Sequence, residues 1–177
     1  MSELLDKLIQ LPADKVFPCL DLYRIFLCHP DATCHSKKYE EGSHHVSSIC
    51  THLRDKSAGD PAKMLALRCL VNMFKEHTWI FVLKGNAERV IESVAPHLSN
   101  PKTNVRESAI TVFLNFSITY LQKNDAPDRK IQIISAMALL ANEKEESCQK
   151  RARATINNLT YKDKDCKQLA DSFGFKF

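Results

Sequence analysis

Apolar residues recur along this chain every three or four positions rather than at every second one, the spacing of helices that bury one face. Leu4, Leu5, Leu8 and Ile9 share a face of a first short helix over residues 2–10, with Ser2 at its N-cap and Leu-Pro-Ala-Asp as its break. A second helix over 15–28 carries Phe17, Leu20, Leu22, Ile25, Phe26 and Leu27, a stripe wide enough for burial on two sides. Pro18 fits its first turn, and His29-Pro30-Asp31 stops it. Residues 31–45 are polar and aperiodic and read as a loop, followed by a helix over 44–54 through Val46, Ile49, Cys50 and Leu53. Asp60 as N-cap and Pro61 at the first helical position open a helix that runs to about residue 77. A short apolar run over 78–83 and a C-cap and turn at Lys84-Gly85-Asn86 lead to helices over 87–98, 103–122, 129–141 and 145–161. Turns interrupt these at 99–101 and 124–128, and residues 163–174 read as the first helix of a further unit, stopped by Gly174. No segment has a strand pattern.

Three of these helices carry the same signature. Asn72, Asn115 and Asn158 stand 43 residues apart, each late in an apolar helical run: ALRCLVNMF, SAITVFLNFS and RARATINNLT. A helical period of roughly 40 to 47 residues is that of armadillo and HEAT arrays, whose units stack to bury one continuous core. The predicted fold class is therefore all-α: an armadillo-like right-handed superhelix, an α-solenoid of about four helical repeats.

Composition changes this picture little. With 177 residues, 44% of them hydrophobic and 26% charged, the chain has ordinary globular composition, and four glycines leave few tight turns. A net charge of +4 favours acidic partners where it gathers on one face, without calling for nucleic acid. No apolar run approaches 18 residues and the N-terminus is charged and amphipathic, so the expectation is a soluble protein of the cytoplasm, with the nucleus as a second compartment, and no membrane partner. Seven cysteines, several inside apolar runs, suit a reducing compartment. Asn115-Phe-Ser and Asn158-Leu-Thr match the glycosylation sequon but fall inside predicted helices.

The register can be turned into a surface. Residues seven and four positions before each asparagine lie about 20° and 40° from it around the helix, so all three share a stripe. The stripes read Leu65, Arg68 and Asn72; Ser108, Thr111 and Asn115; and Arg151, Ala154 and Asn158. Leu67, Leu70, Val71, Val112, Leu114, Ile156 and Leu159 flank them and point inward. Arg24 joins Arg68 if the first unit is one residue longer, with Cys28 in the asparagine register. Amides offer a donor and an acceptor to the backbone of an extended peptide, and guanidinium groups pair with carboxylates. The expected peptide-binding residues are thus Arg24, Arg68, Asn72, Ser108, Thr111, Asn115, Arg151 and Asn158, with Arg68 and Arg151 on one concave surface. The plainer alternative is that the asparagines bond only to neighbouring helix ends and the arginines are solvated surface.

Other chemistry is weaker. His29, Cys34, His35, His44, His45, Cys50 and His52 are the densest set of metal-ligating types, but their spacing matches no zinc finger, and no metal or other cofactor is expected. No Gly-rich phosphate loop is present, and Cys34 beside His35 is not a triad, so no enzymatic activity is expected. The run from Lys144 to Arg153 interleaves acids with bases and lacks aromatic stacking residues, which argues against nucleic acid.

Two sets of residues carry a resemblance. Asn104-Val-Arg-Glu-Ser-Ala-Ile-Thr-Val-Phe-Leu-Asn115-Phe-Ser is similar to the third helix of an armadillo repeat. Val16-Phe-Pro-Cys-Leu-Asp-Leu-Tyr-Arg24 with Cys28-His-Pro30, Leu65-Ala-Leu-Arg68 and Gln168-Leu-Ala-Asp-Ser-Phe-Gly174 resemble the PUL domain, the armadillo-like C-terminal domain of the phospholipase-activating protein family and its fungal relatives in ubiquitin degradation. The resemblance runs from about residue 13 to 174. It implies one PUL-type domain over 1–177, short of helices at both ends and without the propeller and ubiquitin-binding region that precede it in the family. It also implies an adaptor that docks the C-terminal tail of the hexameric AAA ATPase valosin-containing protein, and through it the ubiquitin machinery. The competing readings are a generic helical-repeat scaffold for another protein and an RNA-binding helical repeat. Because Phe173, Phe175 and Phe177 form an apolar tail, weak self-association is also expected.

Overall fold

The computed structural model describes residues 4, 7–29, 32, 39–121 and 125–175. The fold is all-α and built of helical repeats, and no strand occurs among the described residues. The chain divides into two compact units, Met1–Val94 and Ala95–Phe177.

In the first unit, α1 spans Phe17–Phe26, α2 Tyr39–Arg54, α3 Asp60–Met73, α4 His77–Gly85 and α5 Ala87–Val94. Leu20, Tyr23, Val46, Ile49, Leu65, Leu67, Leu70, Trp79, Val82 and Val90 are among the residues that fill its core. The helix expected over 2–10 and the stop at Pro30-Asp31 fall largely outside the described residues. The rest of the sequence-based order holds, with four corrections.

First, α2 begins at Tyr39, inside the stretch read as a loop. Packing overrides the polar composition there: Gly42 is buried so closely against α4 that a Cβ on it would meet Val82 Cγ2 at 2.8 Å and Trp79 at 3.4 Å. His45 likewise turns inward, bonding the Tyr23 hydroxyl through Nδ1 at 2.5 Å beside the Trp79 ring. Second, the apolar run at 78–83 is the body of a helix, and α3 ends at Met73 rather than near residue 77. Third, the N-cap of α3 is Gly59, with Asp60 in the first turn and Pro61 at its start. Fourth, α1 is not buried on two sides: Leu20, Tyr23 and Leu27 are buried, but Phe17, Leu22 and Ile25 are exposed.

In the second unit a 3-10 turn at Ala95–Ser99 precedes α6 (Thr103–Thr119), α7 (Pro127–Met137), a 3-10 turn at Ala138–Leu140, α8 (Glu146–Thr160) and α9 (Lys164–Ser172). Its core gathers Val105, Ile110, Val112, Phe113, Phe116, Ile133, Ile134, Met137, Ile156 and Leu159. The longest helices, α6 and α8, are packed on one another and carry two of the three asparagine signatures. Both sequons lie within them, as the pattern predicts. Asp163 caps α9 by accepting from the Cys166 N–H at 3.1 Å.

The C-terminus corrects one further expectation. Phe175 does not join an exposed tail; it is buried, because α9 ends in a Schellman turn. Gly174, at φ +87°, donates to Asp171 C=O, and the Phe175 N–H returns to Ala170 C=O. Phe173 is partly exposed, and Phe177 lies outside the described residues. The cysteines Cys19, Cys28, Cys50, Cys69, Cys148 and Cys166 are free thiols, and burial pushes the pKa of Cys50, Cys69, Cys148 and Cys166 up, so these four behave as small hydrophobes.

Candidate functional site: the asparagine stripes

In the first unit the stripe is tied to the helix two before it. The last carbonyls of a helix have no partner within it; in α1 those of Tyr23, Ile25 and Phe26 accept from the N–H groups of Leu27, Cys28 and His29, while that of Arg24 is met by Cys28 Sγ and from α3. Asn72 donates Nδ2 to Arg24 C=O at 2.7 Å, and one turn earlier Cys69 Sγ reaches Leu20 C=O at 3.5 Å. The Oδ1 atom of Asn72 accepts nothing from the described residues. Four residues before it, Arg68 is exposed and makes no ion pair or hydrogen bond with the described residues. Arg24 is held by Asp21 at 2.7 Å, a half-exposed pair three residues apart that contributes little and can exchange for another carboxylate. Leu65, at the start of the stripe, is buried.

In the second unit the same tie uses a side chain. Asn158 donates Nδ2 to the Ser117 hydroxyl at 3.0 Å, and Ser117 passes its proton to Leu114 C=O at 2.7 Å. Asn115 is half-buried at the matching position of α6. Arg151 reaches back across to α6, bonding Glu107 Oε1 at 3.3 Å and its own Ser147 C=O at 2.9 Å. Two expected ligands are spent within their own helix: Ser108, 7% exposed, donates to Asn104 C=O, and Thr111 donates to Glu107 C=O. Mid-helix hydroxyls readily bond the carbonyl four residues back. Ser108 therefore has no free proton for a ligand, while Thr111 keeps only acceptor capacity.

The structure thus joins Arg24 with Asn72 through a carbonyl, joins Arg151 with Glu107, and leaves Arg68 without an ion pair or hydrogen bond among the described residues. Arg68 and Arg151 fall in different units. The plainer alternative for the asparagines fits Nδ2 of Asn72 and Asn158, each bonded to the helix two α-helices earlier, while Oδ1 of both has no partner among the described residues.

Sequence reasoning missed Glu107 and Ser117. Both stand close to one period before their partners, at spacings of 44 and 41 residues, so asking which residues lie one repeat before each stripe would have found them. It also missed two partly buried ion pairs of the second unit, Arg106–Glu143 at 3.1 Å and Lys130–Asp163 at 3.5 Å, of which Lys130 alone is fully buried. Burial pushes the Glu143 carboxyl up, but the Glu145 and Lys144 N–H groups and Arg106 outweigh it and hold the pKa below the usual value. Asp163 is likewise lowered: burial raises it, and the Cys166 N–H with Lys130 more than reverses that.

The described histidines of the 44–52 stretch have separate partners. His44 pairs with Ser48, His45 with Tyr23, and His52 with Ile9 C=O at 2.6 Å, while Cys34 and His35 lie outside the described residues. Among the described residues no group of three or more His, Cys, Asp or Glu is placed to hold a metal, and no helix is long and apolar enough to cross a membrane.

The model of the PUL domain matches residues 1–176. Phospholipase A-2-activating protein of Xenopus laevis is 25% identical over 169 residues, which cover 95% of this chain and 21% of that protein. Ubiquitin fusion degradation protein 3 homolog of Caenorhabditis elegans is 27% identical over 121 residues, 66% of this chain and 14% of that protein. The chain therefore spans about a fifth or less of the curated relatives it matches.

Proposed function

Since the chain belongs to the PUL domain family, we propose that it is a protein-binding adaptor of ubiquitin-dependent processing whose basic, amide-bearing stripes dock the acidic C-terminal tail of the AAA ATPase valosin-containing protein. Its work is binding rather than catalysis, in the cytoplasm and nucleus. The ubiquitin pathway enters through the name of the nematode relative, and the tail through the resemblance of the motifs around Arg24 and Arg68. One observation supports the binding role: among the described residues exposed Arg68 has no polar partner, one turn from Asn72, whose Nδ2 is already fixed and whose Oδ1 accepts nothing. A side chain pinned at one end presents its other polar atom without a further entropic cost, so the stripe is pre-organised for a peptide N–H beside a carboxylate. Arg24, freed from Asp21, extends the cationic edge. In the second unit Thr111, Asn115, Arg151 and Asn158 form the corresponding set, where an incoming carboxylate competes with Glu107 for Arg151.

Titration of the full chain with the acidic tail peptide, at low and high salt, tests this. Affinity falls as salt rises if arginine–carboxylate pairs carry binding. Preference for an oligonucleotide over the peptide would replace the reading with RNA binding. A second reading, a generic scaffold for another protein, has its own observation in the exposed Phe17, Leu22 and Ile25 of α1, and salt-insensitive binding of a partner there would favour it.

A further inference from the structure

Away from the stripes, the first unit holds an open polar cavity on its surface, between α2 and α5. Its volume is about 340 Å³, and it is lined by Ser43, His44, Ser47, Ser48, Thr51 and Arg89. Water takes roughly 30 Å³ per molecule in the liquid, so this is room for more than one small polar group. Among the described residues no carboxylate lines it.

The protons of this lining decide what it can hold. Arg89 is exposed, and its guanidinium makes no ion pair or hydrogen bond with the described residues. The Ser47 hydroxyl is likewise unengaged. Ser43 accepts from Asn86 Nδ2 at 2.8 Å, which leaves its own proton to donate. Thr51 has given its proton to Ser47 C=O, and Ser48 shares a 3.4 Å contact with His44. Nearby, Arg54 is fixed by Ser93 at 2.8 Å and by Arg89 C=O, with Glu92 as its half-exposed partner at 3.7 Å. The cavity therefore offers one unpaired guanidinium and two free hydroxyl protons. Such a set matches a ligand that only accepts. A metal cation would meet Arg89 with no carboxylate to hold it, and a sugar would need strong acceptors as well as donors. An oxyanion of tetrahedral shape fits: guanidinium pairs with phosphate in a two-pronged geometry, and serine hydroxyls complete its remaining oxygens.

We infer that the cavity of Ser43, Ser47 and Arg89 is a binding site for a phosphate monoester group, separate from the asparagine stripes. The group is either carried on a phosphoserine or phosphothreonine of a peptide or supplied as free phosphate; both present the same oxygens to Arg89.

Amide chemical shifts of the full chain, followed while inorganic phosphate replaces chloride at fixed ionic strength, test it. Shifts are expected over residues 43–51 and at Arg89, with binding at least tenfold weaker in Arg89→Ala and several-fold weaker in Ser47→Ala, while Arg68→Glu leaves it unchanged. A short phosphothreonine peptide that binds tighter than phosphate, with its unphosphorylated form silent, identifies the peptide as the source; equal affinities identify free phosphate. Circular dichroism of each variant keeps misfolding apart from lost binding, and Ser47→Ala, a loss of one oxygen from a half-exposed position, serves if Arg89→Ala is unstable. Absence of shifts at these residues, or equal loss in Arg68→Glu, overturns the inference. Neither result bears on the acidic-tail reading, which rests on Arg68 and Asn72.

Discussion

Among the described residues, 1–94 tie their helices together mostly with neutral groups, with Arg54 reaching Ser93 and Glu92 as a charged exception, whereas 95–177 rely more on charge. In the first unit Asn72 and Cys69 bond α1 carbonyls, Tyr23 bonds His45, and Gly42 lets α2 sit against Val82. In the second, Lys130 pairs with Asp163, Arg106 with Glu143, and Arg151 with Glu107. The same asparagine register survives in both. What differs is sensitivity: close neutral packing is vulnerable to added volume, and buried charge is vulnerable to losing its partner or its ionisation.

The largest expected effect comes from breaking the Lys130–Asp163 pair of the second unit. Lys130 is 1% exposed, so Asp163→Ala removes a carboxylate from beside a buried side chain and also removes the α9 cap. A loss of about 3 kcal/mol is expected by chemical denaturation. Lys130→Met, which removes the buried charge itself, should cost clearly less. Equal losses in the two variants would mean that packing, not charge, matters there.

Acid probes the same difference without mutation. Glu143 and Asp163 have pKa values held below the usual 4.5 and 3.8, so the folded state binds these protons less readily than the unfolded chain does. Their contribution is present in full above those usual values and is lost as pH falls through the lower folded ones. Denaturation followed below about pH 4.5 should show the second unit weakening, and Glu143→Gln with Asp163→Asn should flatten that dependence. An unchanged acid profile in the double variant would contradict the charge-based account.

In the first unit the corresponding lesion is volume. Gly42→Ala gains helix propensity but drives a methyl to 2.8 Å from Val82, whose branched side chain has little freedom to turn away. A net loss of about 1–2 kcal/mol is expected, and Val82→Ala in the same chain should recover part of it. Stabilisation by Gly42→Ala alone would show that the two helices part easily.

The smallest effects belong to the struts that the units share. Asn72→Ala and Asn158→Ala should each cost about 1 kcal/mol in thermal denaturation. Asn72 should cost the more, because it leaves Arg24 C=O with only the weak 3.5 Å contact from Cys28 Sγ, while Ser117 keeps its bond to Leu114. Identical costs would remove this distinction.

Helical spacing and the 43-residue register made the fold readable, because both are local in sequence and follow from stacking. Where packing partners came from afar, reading failed. Nothing near Gly42 announces the Val82 and Trp79 side chains that keep residues 39–45 helical. Phe17, Leu22 and Ile25 look like core by composition, yet a helix pattern does not say how many neighbours it meets. The stripe positions were legible as a register but not their bonding. That Ser108 and Thr111 would turn to their own helix, and that Arg151 would find Glu107, depends on rotamers that spacing does not fix.

The central claim is that an unpaired arginine beside a pinned asparagine receives an acidic peptide. The most direct test is fluorescence anisotropy of the labelled acidic C-terminal tail of valosin-containing protein, titrated with the parent chain and with Arg68→Glu. An exposed arginine with no ion pair can change with little effect on folding, so the variant should keep the parent melting temperature. Its affinity should fall at least tenfold, or about 1.4 kcal/mol. Parent-like affinity in a folded Arg68→Glu variant, or no binding by the parent chain, would contradict the account.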